Sequence, residues 1–507
     1  MSEHEHLGVF VEEVGRGPTP IEGVPTDISA FLGESERGPL RPELVRSHAE
    51  YSRLFGGACR DRQYLPQAVA GFFDNGGRRA WIARVAGPGA ADAALVLGDF
   101  TVRAIGPGRA GNRIWACLEP GTAEGCRGDP AGFRLRVAYW DRAAADIPFD
   151  PADAADALPR PSLCENFDGL SLDPASPDHW DRRVNRASAL VTLAAAPGAA
   201  LPVAPAGGPL AGGADGAAPG TIDYQGDDGA AGLRRGLAAL ALPSCRDVAL
   251  VAAPGAAPDV QRLVIAHCEA QLYRFAVLDT QPGQSDPSRL DPRAELGDTS
   301  YAAIYHPWIQ VADPAGGDEV AVPPSGAVCG LYAKTDAISG VWKAPANEIV
   351  AGAVGVEHEL GRSEQERLNP RGVNVVRRFP GRGIRIWGAR TLSSDTLWKY
   401  VGVRRLLIFL EASVYRGTQW VVFEPNEPEL WARVRQTLTL FLRGRWREGA
   451  LLGAKEEEAF FVAVGRDTMT GDDILNGRLV VEIGVAPVRP AEFVIFRIFQ
   501  KTAEAKA

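Results

Sequence analysis

Long apolar runs are missing from this chain: no stretch of its 507 residues is apolar enough to cross a bilayer as a helix. The opening Met1-Ser2-Glu3-His4-Glu5-His6 is polar and acidic, so it does not read as a secretory signal, and assembly in the cytoplasm is expected without membrane insertion. No C-x-x-C pair occurs. The seven cysteines (59, 117, 126, 164, 245, 268 and 329) are scattered and odd in number, which fits reduced, mostly buried thiols. Positive charge is also short. With 54 Lys and Arg against 63 Asp and Glu the net charge is −9, so nothing general draws the chain to nucleic acid.

The motifs of common chemistries are absent as well. There is no G-x-x-x-x-G-K-[ST] loop to cradle phosphates and no G-x-S-x-G elbow. Val277-Leu278-Asp279 ends a strand with Asp as a metal-holding Walker B strand does, but without the phosphate loop a strand-ending Asp is a turn former. Gly87-Pro88-Gly89 lacks the third glycine and the helix of a dinucleotide site. Glu357-His358-Glu359 has no second His at i+4 and no Cys nearby, so it reads as a solvated charged loop. His267-Cys268 sits inside an expected helix without a third catalytic member. No catalytic residue, metal or cofactor is expected, and the chain does not read as an enzyme.

What is present is a multidomain α/β and α+β pattern. The length exceeds one hydrophobic core, so two to four domains are expected. Residues 1–20 read as an N-terminal arm strand and linker. Residues 21–91 and 222–341 read as an α/β middle domain: strands at Ile28–Gly33 and Ala80–Val85, a helix opened by Ser47 as cap, and another over Tyr64–Asn75. Within it, Asp247–Ala252, Pro258–Tyr273 and Arg274–Asp279 read as a βαβ unit, hence a parallel sheet, with Tyr301–Val311 as a further strand. Residues 92–221 read as a peripheral, mostly β insertion, whose Ala/Gly/Pro-rich end at 197–220 suggests a flexible surface loop. Residues 342–489 read as a compact α+β assembly domain. Its strands are Val373–Phe379, Gly383–Trp387, Trp420–Phe423, Phe460–Val464 and Leu479–Val485. Its helices are one capped by Ser393-Ser394-Asp395 and one from Pro428 to about Arg447. Residues 490–507 read as a C-terminal arm strand and tail.

The two extremities carry the strongest functional signal. Phe493, Val494, Ile495, Phe496, Ile498 and Phe499 give a strand that is apolar on both faces. At the other end Leu7, Val9 and Val11 alternate with Phe10, and Val14 follows. Apolar terminal strands need sheet edges; if those edges belong to neighbouring copies, the chain is a link in a polymer. Charge is uneven too. Residues 371–448 hold fifteen basic and six acidic side chains, +9 in a chain of −9. Arg433, Arg435, Arg443 and Arg447 lie off the apolar stripe of the last helix (Leu430, Val434, Leu438, Phe441), placed for an acidic partner or for solvent.

Several stretches, in order, resemble the sheath subunits of contractile phage tails and extracellular contractile injection systems. They are Gly8-Val9-Phe10-Val11-Glu12-Glu13-Val14, Pro20–Thr26, Ala30-Phe31-Leu32-Gly33 and Arg37-Gly38-Pro39. In the second half they are Trp342–Asn347, Leu368–Asn374, Trp387–Leu392, Tyr400–Arg405 and Pro490–Phe496. The likeness spans about 1–90 and 240–507; Leu7 stands where that family often has Pro. The resemblance implies stacked hexameric rings around an inner tube protein, capped by baseplate and terminal proteins, with arms of neighbours completing each C-terminal sheet. It also implies contraction from a metastable extended state, with the basic face of the last helix as the candidate tube contact. The alternatives are a cap or baseplate ring built on the same domain, and an enzyme on the βαβ segment.

Overall fold

The computed structural model describes residues 20–57, 63–122, 132–141, 160–200, 202–227, 234–313, 316–317 and 319–492. The arm strands expected at 7–14 and 493–500 lie outside the described residues. The chain divides into a larger unit, Pro25–Arg404, and a smaller one formed by Met1–Val24 with Arg405–Ala507.

The larger unit begins with β1 (Ser29–Gly33), β2 (Glu43–Val45), helices α1 (His48–Phe55) and α2 (Leu65–Asp74), and β3 (Ala80–Arg84). The insertion supplies β4 (Ala94–Leu97), β5 (Phe100–Ala104), β6 (Ile114–Pro120), β7 (Phe133–Tyr139), β8 (Leu163–Leu170), β9 (Val191–Ala195) and β10 (Ala206–Pro209). The chain then returns through β11 (Leu250–Ala252), α3 (Pro258–Gln271), β12 (Phe275–Asp279), β13 (Ala302–His306), β14 (Ile309–Ala312), β15 (Glu319–Val322), α4 (Ser325–Ser339), β16 (Ala353–Val356), β17 (Val373–Phe379) and β18 (Gly383–Trp387). Its main sheet runs β18-β17-β13-β12-β11-β1-β3-β2, parallel throughout except at the two edges. The central strands β1, β12 and β13 are fully buried, as a parallel sheet covered on both faces requires. One side of the sheet packs Val260, Val264, Ile265 and Cys268 of α3 against Val251, Ala276 and Leu278.

The insertion forms two antiparallel sheets, β10-β6-β7-β8 and β4-β5-β9, around Phe100, Leu135, Val137 and Leu193. Here the structure corrects the flexible loop expected at 197–220. β10 pairs with β6, Ala91 and Ala94 bridge to Ala214 and Ala211, and Leu210 is buried. Small residues serve close approach: a Cβ on Gly87 would fall 2.0 Å from the Ala217 carbonyl oxygen. The insertion is also tied to the main sheet. Buried Arg84 donates to the carbonyls of Gly38 (2.7 Å), Pro107 (2.7 Å) and Ser35 (3.3 Å). Arg113 and the Tyr139 hydroxyl both donate to the buried Glu36 carboxylate.

Three further expectations are revised. Tyr301–Val311 is not one strand: Pro307, which has no N–H, separates β13 in the main sheet from β14 in the sheet β15-β14-β16. Ser393-Ser394-Asp395 does not open the long helix. Asp395 accepts from Leu397 N (2.8 Å), but Thr391 N donates to Lys399 O and Val401 N to Ala389 O, so the segment is a closed loop. The helix, α5, starts at Val401 and ends at Gly417. Strands β17 and β18, read as part of 342–489, lie in the main sheet of the larger unit.

In the smaller unit Ile21 packs on Gly417, and Gly23 approaches the Phe409 ring so closely that a Cβ would lie 2.8 Å from Cζ. Val24 N donates to the buried Ser413 hydroxyl (3.1 Å). Trp420–Phe423 is not a strand: a 3₁₀ turn over Gln419–Val421 continues the helix end, leaving Val422 and Phe423 exposed. Helix α6 (Pro428–Arg447) follows, then β19 (Phe460–Val464) and β20 (Val481–Val485). Leu430, Val434, Leu438 and Phe441 are buried along α6, with Phe441 against Phe409 of α5.

Candidate assembly interface

β19 and β20 form a two-stranded antiparallel sheet, with Phe460 opposite Val485 and Val464 opposite Val481. By alternation Phe460, Val462 and Val464 share a face with Val481, Ile483 and Val485, and β19 packs on α6. Phe460 and Val464 are buried and Val481 and Val485 half-buried, but Ile483 stays 37% exposed, so α6 covers the β19 side of that face more fully than the β20 side. On the reverse face Phe461 is 57% exposed and crosses to Gly484, where a Cβ would fall 2.0 Å from its Cε1. Among the described residues neither outer edge has a strand partner. Sheet edges are usually blunted by Lys or Pro, yet FFVAV and VEIGV contain neither. A two-stranded sheet is marginal in water unless a further strand or a helix supports it; here α6 supports the β19 side. The apolar alternation and the missing Lys and Pro were visible in the sequence; which neighbour leaves the face uncovered was not.

The four arginines of α6 are less available than their helical positions suggest. Arg433 faces Glu424 (3.4 Å) and lies over the Trp420 ring, 4.8 Å from its centroid. Arg435 donates to the Val464 carbonyl, tying α6 to β19. Arg443 makes a two-pronged contact with Glu456 (2.6 and 2.9 Å), which holds that carboxyl below its usual range. Arg447 is exposed.

The fragments that could have suggested chemistry are accounted for locally. The Asp279 carboxylate, fully buried, accepts from Ser325 N (2.7 Å), Ser325 Oγ (2.7 Å) and Gly255 N (3.2 Å). It caps α4, whose own N-cap position is Pro324. Burial lifts its pKa to about 7, opposed by the Ser325 hydrogen bonds. A polar cavity of about 460 Å³ beside it is lined by Gln261, Gln281, Gln284, Arg289 and Asp291. Burial pushes the Cys268 thiol up to about 12 and His267, also beside Arg274, down to about 3, so the pair stays neutral. Glu357 accepts from Gly283 N (2.8 Å) while Glu359 pairs with Arg378 (3.0 Å), so the carboxylates flanking His358 diverge. Gly87-Pro88-Gly89 seams the insertion, as described above.

What the geometry assembles is a two-stranded sheet on a helical support, with no further strand partner among the described residues. Residues 228–392 match the phage tail sheath protein central domain, and residues 393–501 match the phage tail sheath C-terminal domain, together more than half of the chain. A prophage major tail sheath protein of Pseudomonas aeruginosa (strain UCBPP-PA14) is 28% identical over 277 residues, 53% of this chain and 70% of that protein. The tail sheath protein of Burkholderia phage BcepMu is 28% identical over 200 residues, 36% of this chain and 42% of that one. Among solved structures, the contracted sheath of the extracellular contractile injection system PVC superposes with TM-score 0.61 at 22% identity, covering 99% of both chains. A chain of the anti-feeding prophage baseplate gives 0.57 at 22% identity, covering 99% of this chain and 100% of that one. The chain belongs to the phage tail sheath family.

Proposed function

We propose that this chain is the structural subunit of a contractile sheath, polymerising as stacked hexameric rings around an inner tube. The observation that carries the reading is the β19–β20 sheet with both edges unpartnered among the described residues, in a chain whose two ends read as apolar strands. The arm at Leu7–Val14 of one neighbour and the arm at Phe493–Phe499 of another add strands to those edges, joining copies through backbone hydrogen bonds. Rings then rotate and slide while the links hold, and the assembly drives the tube outward from a metastable extended state without consuming nucleotide. Baseplate and terminal cap proteins close the ends. The exposed flank of α6, which carries Arg447, is assigned to the inner tube.

Deleting Met1–Gly15, or everything after Pro490, should leave a folded subunit that no longer polymerises; tubes of normal length from either truncation refute the arm exchange. A second reading, a ring component of the baseplate, has the anti-feeding prophage baseplate chain in its favour. Electron microscopy of the purified assembly separates the two: long tubes support a sheath, single rings a baseplate component.

A further inference from the structure

Two surfaces of opposite character are left over once the arms are assigned. On the larger unit, the β17–β18 hairpin carries Arg377, Arg378, Arg382 and Arg385 and no acid. Phe379 and Trp387 lie 4.7 Å apart on it, with Arg377 and Arg382 over the Phe379 ring. Beside it Ile349 and Val354 are 48% and 44% exposed; Ile349 bridges Arg385 and the Val354 carbonyl accepts from Arg378. Glu359, paired with Arg378, is the single carboxylate in an ion pair with these four arginines among the described residues.

The smaller unit presents the complement. The loop before α6 and the connection from β19 to β20 are held together by Asn426 Nδ2 donating to the Arg478 carbonyl (3.0 Å). Segments 418–429 and 465–480 hold six acids against two arginines. Of the acids, Glu424 and Asp473 have ion-pair partners, whereas Glu427, Glu429, Asp467 and Asp472 are exposed without one among the described residues. From the same end project Val422, Phe423 and Leu475, exposed by 59%, 103% and 86%. Phe423 is held at φ +71°, a left-handed conformation that costs a non-glycine residue stability and tends to mark a functional position.

We propose that the acidic, Phe423-bearing end of the smaller unit docks on the arginine–aromatic hairpin β17–β18 of a second copy. This rests on the polymer reading and adds to the arms a second, side-chain contact. Charge complementarity selects the occupant: an aromatic knob ringed by carboxylates meets aromatic rings ringed by guanidiniums, the residue types that dominate interface energetics. Because the two surfaces differ, the contact is head-to-tail, the kind that generates helical filaments and not closed pairs.

The test is a charge exchange in the full-length chain, co-expressed with its tube where templating is needed. One variant carries Arg378→Glu and Arg382→Glu, the other Glu427→Arg and Asp472→Arg; each is accepted if its thermal unfolding stays within about 2 °C of wild type. Each alone should assemble at least roughly tenfold less polymer at physiological salt, and an equimolar mixture should restore polymer, because every junction in an alternating filament then pairs opposite charges. Unchanged assembly of either variant overturns the docking, and so does loss without rescue on mixing, which would assign the hairpin to the tube or another acidic partner. Phe423→Ala provides a charge-free check: polymer yield should fall, and a wild-type yield counts against the knob. Failure of the unsubstituted chain to polymerise would instead overturn the sheath reading beneath it.

Discussion

Replacing Asp279 decides whether a strand-ending carboxylate at the mouth of a cavity is a structural cap or the remnant of a ligand site. In Asp279→Ala the Ser325 and Gly255 N–H groups and the Ser325 hydroxyl lose their acceptor, and Ser325 is fully buried. A buried donor left unsatisfied costs about 1–3 kcal/mol, and the hydroxyl can turn elsewhere, so the loss should be about 3–5 kcal/mol. Asp279→Asn keeps one acceptor oxygen and should cost about 1–2 kcal/mol. Urea unfolding followed by far-UV circular dichroism would show lower midpoints with unchanged slopes. A second signature is pH. The folded carboxyl, lifted by burial to about 7, binds a proton that the unfolded chain releases near its ordinary value of 3.8. Its contribution is therefore complete below about pH 4 and fades as the pH rises through about 7. The Asn variant lacks that decline, so its deficit should be largest near pH 4 and shrink toward pH 8. A functional carboxylate predicts the reverse in stability, since removing a strained buried charge relieves the fold. An Ala variant with an unchanged or raised midpoint would refute the cap.

Two other perturbations test the fold around the interface. Gly87→Val should force the insertion seam apart at Ala217 and expose 197–220 to limited proteolysis that the native protein resists; equal cleavage rates would show that the segment is loose in both. Glu456→Gln should lower the unfolding midpoint at pH 7 and have little effect at pH 3, because a carboxyl held down by Arg443 contributes above its unfolded pKa and loses that contribution as the pH falls through its lower folded value. Equal effects at both pH values would place the stabilisation in packing and not in the ion pair.

Local signals survived folding best where they act within one element. Ser47 caps α1 by accepting from Glu50 N (3.1 Å), and α6 begins at Pro428 as its first-turn proline suggested. The Asp395 motif failed because its capping chemistry was used in a loop whose backbone donors were already taken by Lys399 and Ala389. Trp420–Phe423 has strand composition, yet among the described residues no strand pairs with it. The Ala/Gly/Pro segment has nothing large to bury, but small residues are what a backbone-to-backbone seam requires. The arginines of α6 were located correctly by periodicity. Their partners Glu456, Glu424 and the Val464 carbonyl come from later or looped segments, and periodicity carries no information about them.

The two units invest their polar groups differently, and that difference is what a sheath needs. In the larger unit the buried Arg84, Glu36 and Asp279 and the half-buried Arg113 all bind within the unit, which favours a body that moves without deforming. In the smaller unit β19 and β20 have no further strand partner among the described residues. An arm of seven or eight residues that added a strand as proposed would make about four ladder hydrogen bonds, each contributing about 0.5–1.5 kcal/mol net, so each arm would be worth about 2–6 kcal/mol. That is modest for one contact, but under the proposed exchange each copy would give two arms and receive two, and a link would engage at the high effective concentration set by its other links. Loss of one arm should therefore abolish long polymers and not merely weaken them, even though each subunit still folds.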